Sequence, residues 1–185
     1  MQSDARYTVP RPYLLDRERA LLAIEWIDGV MMTASIASWR SGAVHAHGLM
    51  GQAGTWLRHF HRAHPLGNGS LDVAEKLRHL SEYDGSALAQ ESVFAQGVAE
   101  LRRSAAAAAS INLERSWIHG DFKTDNLIVS GQRIVGIDVQ SRYENTVAYD
   151  LAPFINHLEL TFCQPTVWRL APACTRFNHG FCRCL

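Results

Sequence analysis

Near its start, the chain alternates between short apolar runs and polar positions in a way that is typical of β-structure. Two apolar runs lie between residues 11 and 27, with the charged residues 16–19 between them, and Asp28-Gly29 interrupts the second run. This pattern predicts a β-hairpin followed by a break. The segment is either an ordinary buried hairpin or a hairpin that leads into a connector, residues 25–27, whose backbone amides are available to a ligand.

Beyond Gly51 the apolar spacing becomes helical. One helix is predicted by five residues that recur at helical spacing: Ala53, Trp56, Leu57, Phe60 and His61. Residues 65–69 are expected to end this helix. A second helix, with Ser70 or Asp72 as its N-cap, places three apolar residues on one face, Val73, Leu77 and Leu80. A third helix is expected from residue 86 or 88 to 104, and the alanines at 105–109 are able to extend it.

A further helix is expected over residues 147–160. Asp150 is its candidate N-cap, and Pro153 is expected in its first turn, where a missing N–H costs little. Its buried stripe is predicted to consist of four residues, Leu151, Phe154, Ile155 and Leu158.

The stretch before this last helix carries the candidate chemistry. Two short apolar runs, residues 127–129 and 134–137, flank the turn-forming residues 130–133, which predicts a second hairpin. Asp121 lies on the loop before this hairpin, Asn126 leads into its first strand, and Asp138 closes its second strand. Hard oxygen ligands of this kind suit Mg²⁺, which takes one or two protein carboxylates together with phosphate oxygens and water. The pattern therefore indicates phosphoryl transfer.

Bulk composition narrows the class of protein. The chain has 185 residues, enough for one domain or for one domain and part of another, with 47% hydrophobic and 19% charged residues. Eighteen basic residues balance eighteen acidic residues, so no overall field favours nucleic acid or a membrane surface. No run of 18 apolar residues occurs and the N-terminus lacks the apolar core of a signal peptide, so we expect a cytoplasmic protein that has no nucleic-acid or membrane partner.

Histidines and cysteines raise the alternative of a metal site. His45, His47, His59, His61 and His64 cluster in sequence, but His59 and His61 point about 200° apart on a helix, so surface and packing roles are favoured. All four cysteines fall near the end of the chain, at Cys163, Cys174, Cys182 and Cys184, with His179 among them. Their spacing lacks paired zinc knuckles, which favours free thiols over zinc.

Three separate motifs together resemble a known family. The chain carries His119-Gly120-Asp121-x₄-Asn126, then Ile137-Asp138, then residues 149–152, Tyr-Asp-Leu-Ala. Their order and spacing are similar to those of the aminoglycoside phosphotransferase and choline kinase group, whose catalytic loop parallels that of protein kinases. The resemblance implies an α+β, protein-kinase-like fold, mostly the helical C-terminal lobe with a remnant of the N-terminal β lobe. Residues 1–29 would form that remnant and the hinge, and residues 30–185 the C-terminal lobe.

The resemblance also implies roles for single residues. Asp121 would be the catalytic base or orienting group for an acceptor hydroxyl, and Asn126 and Asp138 would hold Mg²⁺. Lys123 would either stabilise the transferring phosphoryl group or remain a solvated surface lysine. The Glu25 carbonyl and the Ile27 N–H would bond the adenine edge of ATP. Asp150 would anchor the catalytic loop through backbone N–H groups, and His119 would be a structural member of that loop.

The chain departs from the family at its beginning. No glycine precedes Gly29 and no lysine precedes Lys76, so the Gly-rich phosphate loop and the strand lysine of the family are missing upstream of the hinge. We therefore expect a truncated phosphotransferase that is weak or inactive as this chain. The alternative is a non-catalytic kinase-like binding module.

The acceptor is expected to be a small molecule with a hydroxyl group, of aminoglycoside, amino-alcohol or sugar type. Four acidic residues, Glu82, Asp84, Glu91 and Glu159, are either contacts for a cationic amine or ordinary solvated acids, and solvated acids are favoured.

Overall fold

A computed structural model describes residues 5–38, 43–70, 73–82, 86, 90, 92–109, 111–140 and 143–162. Nine strands occur in the described part: β1 Tyr7–Thr8, β2 Pro12–Asp16, β3 Leu21–Ile24, β4 Val30–Met31, β5 Pro65–Ser70, β6 Asn112–Trp117, β7 Leu127–Ser130, β8 Arg133–Gly136 and β9 Glu144–Thr146. The described helices are α1 Met32–Ala37, α2 Ala43–Ala63, α3 Val73–Ser81, α4 Ser92–Ala108 and α5 Ala148–Phe162. A 3₁₀ turn, Thr124–Asn126, precedes β7 directly.

The strands form three small sheets. One has the order β1-β8-β7-β4, a second is the β2-β3 hairpin alone, and the third has the order β5-β6-β9. The predicted hairpin around residues 130–133 is confirmed, because β7 and β8 pair antiparallel from Leu127 opposite Gly136 to Ser130 opposite Arg133. Gly131 in its turn has a φ of 59°, a left-handed conformation that glycine adopts without strain. This sheet holds the candidate site at one end.

The first predicted hairpin is also confirmed, and its turn is held by Asp16. The Asp16 carboxylate accepts hydrogen bonds from the Glu18 and Arg19 backbone N–H groups at 3.1 and 3.0 Å. Arg19 adds an ion pair to the same carboxylate at 2.6 Å. The hairpin is not buried, however, because Leu14, Leu15, Leu21 and Leu22 are each at least half exposed. The expectation of an ordinary buried hairpin is therefore wrong in the described part of the chain.

A layer of aromatic rings lies between α2, α5 and the loop that joins β6 to β7, residues 118–126, which we call the site loop. Trp56 stacks on Phe60 and on Phe122, with ring centroids 5.3 and 5.7 Å apart, and Phe122 stacks on Phe154 at 4.9 Å. The Trp56 indole N–H also donates to the Thr8 carbonyl at 2.8 Å. This layer joins the longest helix to the site loop, so the position of the loop depends on core packing.

The helical pattern is largely confirmed. Of the five residues predicted at helical spacing in α2, Ala53, Trp56, Leu57 and His61 are buried and Phe60 is partly buried. Of the four residues predicted as the buried stripe of α5, Phe154 and Leu158 are buried, and Leu151 and Ile155 are partly buried. The second helix is α3, and the third is α4, which begins at Ser92 and includes alanines up to Ala108. No helix among the described residues is long and apolar enough to cross a membrane.

Three local expectations are corrected. Residues 65–69 end α2 but form no simple loop, because they lie in β5, which pairs with β6 from Pro65 opposite Ser116 to Ser70 opposite Asn112. Strands β6 and β9 have no strong alternation of apolar residues and were not expected. Pro153 lies inside α5 beyond its first turn, and Asp150 belongs to the first turn instead of capping it, because its carboxylate is directed to the site loop.

Candidate active site

The site loop runs from the end of β6 to the beginning of β7. Its backbone is closed by a hydrogen bond from the Gln140 N–H to the His119 carbonyl at 2.9 Å. Gly120 has a φ of 87°, a left-handed conformation that favours glycine, and a Cβ there would lie 3.2 Å from the Gln140 side chain, which would have to shift slightly. The turn at Gly120 presents the next residue, Asp121, at the loop surface, where its side chain is 32% exposed.

A buried carboxylate holds this turn in place. Asp150, fully buried at the start of α5, accepts hydrogen bonds from the backbone N–H groups of His119 at 2.7 Å and Gly120 at 2.9 Å. This is the anchoring that the family resemblance implies for Asp150. The His61 Nε2 atom lies 2.9 Å from the same carboxylate, so three donors surround it.

His61 contacts the Asp150 carboxylate, although sequence reasoning placed it only among surface and packing histidines. Its carboxylate partner is 89 residues away, and no local spacing connects the two. Ser116 supports the same corner, because its hydroxyl group lies within hydrogen-bond distance of the His61 and His64 carbonyls, at 2.8 and 3.0 Å. The end of α2, the beginning of α5 and the site loop are thereby joined in one polar network.

Asp121 is oriented by two neighbours in the loop. The Lys123 ammonium group donates to its carboxylate at 2.7 Å, and the Asn126 amide donates to the same oxygen at 3.1 Å and to the Asp121 carbonyl at 2.8 Å. The pKa of Asp121 is lowered, because these hydrogen bonds and the Lys123 charge outweigh the opposing effect of burial. The pKa of Lys123 is raised, chiefly by its hydrogen bond to Asp121. Asp121 is thus an ionised carboxylate that lies at hydrogen-bond distance from a cation.

Asn126 and Asp138 are joined through the backbone. The Ile137 N–H donates to the Asn126 carbonyl at 2.9 Å, which places the residue before Asp138 against the 3₁₀ turn. Asp138 has a φ of 56°, a left-handed conformation that non-glycine residues adopt rarely and that is often found at functional sites. Its exposed carboxylate makes no hydrogen bond to any described residue, and its charge contributes to the raised pKa of Lys123.

These two side chains fit a hard cation. The side-chain nitrogen of Asn126 is directed to Asp121, which leaves the side-chain oxygen of Asn126 for another ligand. The Asp138 carboxylate supplies a second oxygen, and one or two protein oxygens are typical of Mg²⁺ sites that also use phosphate. The described residues contain no cluster of three or more His, Cys, Asp or Glu side chains arranged for a metal ion. Two protein oxygens leave the remaining ligand positions of such a site to phosphate and water.

His119 is a buried member of the loop. Burial lowers its pKa, despite the opposing charges of Asp150, Asp121 and Asp138, so its neutral form is favoured. Its ring lies 5.8 Å from Trp56 and 5.6 Å from Phe122, both in edge-to-face arrangements. This packing agrees with a structural role for His119.

The predicted hinge residues lie between β3 and β4. The Glu25 carboxylate accepts a hydrogen bond from the Arg11 N–H at 3.1 Å and lies 3.6 Å from the Arg133 guanidinium. The Glu25 carbonyl and the Ile27 N–H have no hydrogen-bond partner among the described residues. Strand β4 then pairs with β7, with Met31 opposite Ile128, so the connector is tied to the sheet that begins at the site loop.

A second polar network lies behind the loop. The Thr124 hydroxyl is 2.7 Å from the Thr33 hydroxyl and 2.8 Å from the His157 Nε2 atom. Thr33 also donates to the Asp125 carboxylate, which lies 3.8 Å from His157. Because these contacts connect α1, the 3₁₀ turn and α5, they hold the segment that presents Asn126.

Several candidate residues lie outside the described part of the chain. These are the four cysteines and His179, together with Asp84 and Glu91; the side chain of His45 is likewise not described. His47, Glu82 and Glu159 are exposed.

Comparison with known proteins identifies the fold. The sequence profile of the phosphotransferase enzyme family matches residues 2–170. A solved structure of a glucosamine kinase in complex with glucosamine, ADP and inorganic phosphate aligns with a TM-score of 0.63 at 16% identity, covering 95% of this chain and 52% of that chain. Crystal form B of glucosamine kinase aligns with a TM-score of 0.65 at 14% identity, covering 95% of this chain and 52% of that chain. Crystal form A aligns with a TM-score of 0.58 at 17% identity, covering 94% of this chain and 51% of that chain.

The chain therefore spans about half the length of the kinases to which it is structurally similar, and its fold is kinase-like. This confirms the predicted α+β class and the resemblance on which it rested. No curated protein matches the chain significantly.

Proposed function

The chain belongs to the phosphotransferase enzyme family, and we propose that its site loop serves the transfer of the ATP γ-phosphate to a hydroxyl group of a small molecule. One observation carries the proposal: Asp121 is an ionised carboxylate held by Lys123 and Asn126, and Asp138 lies close enough for its charge to raise the pKa of Lys123. The division into an N-terminal-lobe remnant with the hinge, residues 1–29, and a kinase-like C-terminal lobe, residues 30–185, is part of the proposal.

Asp121 acts on the acceptor. Its carboxylate accepts a hydrogen bond from the acceptor hydroxyl, whose oxygen attacks the γ-phosphorus; the new O–P bond forms as the bond to the β,γ-bridging oxygen breaks. The hydroxyl proton passes to the Asp121 carboxylate, and ADP leaves. Because its pKa is lowered, Asp121 is a weak base that orients the hydroxyl and takes the proton late, which suits a loose transition state for phosphoryl transfer.

Lys123 and the oxygens of Asn126 and Asp138 act on the phosphates. The Lys123 ammonium group, 2.7 Å from Asp121, offsets negative charge on the transferring phosphoryl group. The Asn126 amide oxygen and the Asp138 carboxylate would hold Mg²⁺, which neutralises charge on phosphate oxygens when bound. The Glu25 carbonyl and the Ile27 N–H would bond the adenine edge, since both are free of partners among the described residues.

The acceptor proposed is an amino sugar or an amino alcohol. Glucosamine bound to a kinase of the same fold supports an amine-bearing sugar. The family match supports a small-molecule acceptor in general. Activity of this chain is expected to be weak, because the chain spans only about half the length of the structurally similar kinases.

A second candidate function is a non-catalytic kinase-like module that binds a ligand without turnover. It is favoured by the same partial coverage of the structurally similar kinases. The two candidates differ in one observable, which is whether ADP is formed in an acceptor-dependent manner.

The test measures ADP formation by the 185-residue chain with ATP, Mg²⁺ and glucosamine, and phosphorylated sugar by ³¹P NMR. We expect slow, acceptor-dependent turnover that Asp121→Asn lowers by about 10²–10⁴-fold, the range for removing a general acid–base group. Asp28→Asn is the matched control, because Asp28 is an exposed carboxylate whose side chain has no hydrogen-bond partner among the described residues. Turnover that Asp121→Asn leaves unchanged would refute the assignment, and nucleotide binding without turnover would favour the second candidate.

A further inference from the structure

One face of helix α5 runs along the site loop and contacts it at intervals. Asp150, Phe154 and His157 are spaced by four and then three residues, so their side chains lie on the same side of the helix. The Asp150 carboxylate accepts hydrogen bonds from the turn at the start of the loop. Further along the helix, Phe154 stacks on Phe122 with ring centroids 4.9 Å apart. The His157 Nε2 atom lies 2.8 Å from the Thr124 hydroxyl.

The loop is extended along this face, and its side chains alternate between buried and exposed. Phe122 and Thr124 are fully buried. Between and after them, the side chains of Asp121, Lys123 and Asp125 are 32%, 33% and 51% exposed. Lys123 has a φ of −154° and a ψ of 166°, and successive side chains of such an extended segment point in opposite directions. The contacts with α5 therefore hold the buried side chains and direct the charged ones away from the core.

Thr124 also belongs to a chain of hydroxyl groups whose protons can be counted. Thr33 donates to the Asp125 carboxylate, which can only accept when it is ionised. The hydroxyl oxygens of Thr33 and Thr124 lie 2.7 Å apart, and because the one proton of Thr33 is already used, Thr124 donates to Thr33. The proton of Thr124 is then used as well, so its oxygen is left to accept from His157.

We propose that His157 is a positioning residue for the site loop and that it acts as the tautomer with a proton on Nε2, which donates to Thr124. If the only proton were on Nδ1, the Nε2 atom and the Thr33 oxygen would compete for the single proton of Thr124. One of the two close contacts would then join two acceptors. The Asp125 carboxylate lies 3.8 Å from Nε2, beyond hydrogen-bond distance, and does not replace Thr124 as the acceptor.

His157 acts on Asn126 through the 3₁₀ turn. Thr124 is the first residue of this turn and Asn126 is the last, and Lys123 before it provides no side-chain cap. The position of the turn therefore depends on the hydrogen bonds that Thr124 makes to α5 and α1. Under the proposed function, on which this role rests, a shift of the turn displaces the Asn126 side-chain oxygen from Mg²⁺. We therefore expect His157 to affect the cation requirement and not the affinity for the acceptor.

The first experiment determines the tautomer by ¹⁵N NMR of the imidazole nitrogens at alkaline pH, where neutral imidazole predominates. His157 is expected as a single tautomer with its proton on Nε2, and the exposed His47 provides the reference for an ordinary mixture of tautomers. In Thr124→Val, which lacks the acceptor oxygen, His157 is expected to move toward that mixture. A proton on Nδ1 of His157 in the unmodified chain overturns the proposal.

The second experiment compares His157→Gln with His157→Asn. A glutamine amide reaches as far from the backbone as Nε2, whereas an asparagine amide reaches only as far as Nδ1, so only glutamine is able to donate to Thr124. We expect His157→Asn to raise the Mg²⁺ concentration for half-maximal ADP formation about tenfold, within the range for groups that orient metal ligands. His157→Gln is expected to restore it, and KM for glucosamine is expected to stay unchanged in both variants. His47→Asn, at an exposed position of α2, is the matched control.

The outcomes separate this proposal from the proposed function. Equal Mg²⁺ requirements for His157→Gln and His157→Asn, or an effect confined to KM for glucosamine, overturn the positioning role. If the chain forms no ADP, the proposed function fails, and amide hydrogen exchange at Asn126 decides the positioning role instead. His157→Asn is expected to accelerate that exchange about tenfold and His157→Gln is not, because only the first loses the hydrogen bond to the turn. Exchange that His157→Asn leaves unchanged overturns the proposal.

Discussion

The buried carboxylate of Asp150 offers the sharpest test of how the site loop is held. Its two oxygens accept from three donors: the backbone N–H groups of His119 and Gly120 and the Nε2 atom of His61. Asp150→Asn keeps the volume but replaces one acceptor oxygen by an NH₂ group. Whichever way the amide turns, at least one buried donor then faces another donor and loses its partner.

The magnitude follows from the burial of the site. Asp150 and His119 are fully buried and His61 is 4% exposed, so water cannot replace a lost hydrogen bond. An unsatisfied buried donor costs about 1–3 kcal/mol, and loss of the charge on the acceptor adds to this, so we expect Asp150→Asn to lower the free energy of unfolding by about 2–4 kcal/mol. This is a large part of the roughly 5–15 kcal/mol that stabilises a domain.

Two measurements check the prediction. Urea unfolding followed by tryptophan fluorescence gives the change in the free energy of unfolding, with the exposed Asp28→Asn as the control, which is expected to stay within about 0.5 kcal/mol. Amide hydrogen exchange at His119 and Gly120 is expected to accelerate by about one to three orders of magnitude, because about 1.4 kcal/mol corresponds to a factor of ten.

A double-mutant cycle isolates the interaction energy between His61 and Asp150. His61→Leu and Asp150→Asn are expected to be non-additive by about 0.5–3 kcal/mol, as for residues in one hydrogen-bond network. If Asp150→Asn costs no more than Asp28→Asn, or exchange at Gly120 is unchanged, the carboxylate does not hold the loop and the reasoning fails.

Further predictions concern charge and packing. Lys123→Met is expected to raise the pKa of Asp121, because it removes the hydrogen bond and the positive charge that lower it; carboxyl ¹³C NMR titration measures the shift. The stability that ionised Asp121 contributes is present above the ordinary Asp pKa and is lost as pH falls through the lowered pKa of the folded state. Because Lys123→Met raises the folded-state pKa, the lower end of this window moves to higher pH in the variant. Gly136→Ala is expected to destabilise the fold by about 1–3 kcal/mol, the range for overpacking, because the added Cβ would lie 2.1 Å from Trp56. Gly48 lies on α2 with open space around it, so Gly48→Ala is expected to be stabilising in the same unfolding assay.

The local sequence pattern predicted those elements whose structure depends mainly on neighbouring residues. The β7–β8 hairpin was predictable because a polar turn with Gly131 lies between two apolar runs, and the packed face of α2 was predictable from its spacing of three and four. The segment that carries Asp121, Asn126 and Asp138 was found in the same way, from oxygen-bearing side chains at the ends of short strands. These features depend on backbone preferences and on periodicity, and both are determined by residues that lie within about 20 positions of one another.

The remaining features depend on contacts between distant residues, so only the tertiary structure decided them. The sequence identified Asp121 and its neighbours, but the partnership of His61 with Asp150 spans 89 residues. β5, β6 and β9 were missed because their pairing, and not their own apolar pattern, makes them strands. Likewise Gly136 must be small only because the Trp56 ring packs against it. Local propensity determines the secondary structure of a segment, whereas burial determines which polar groups must form hydrogen bonds with each other.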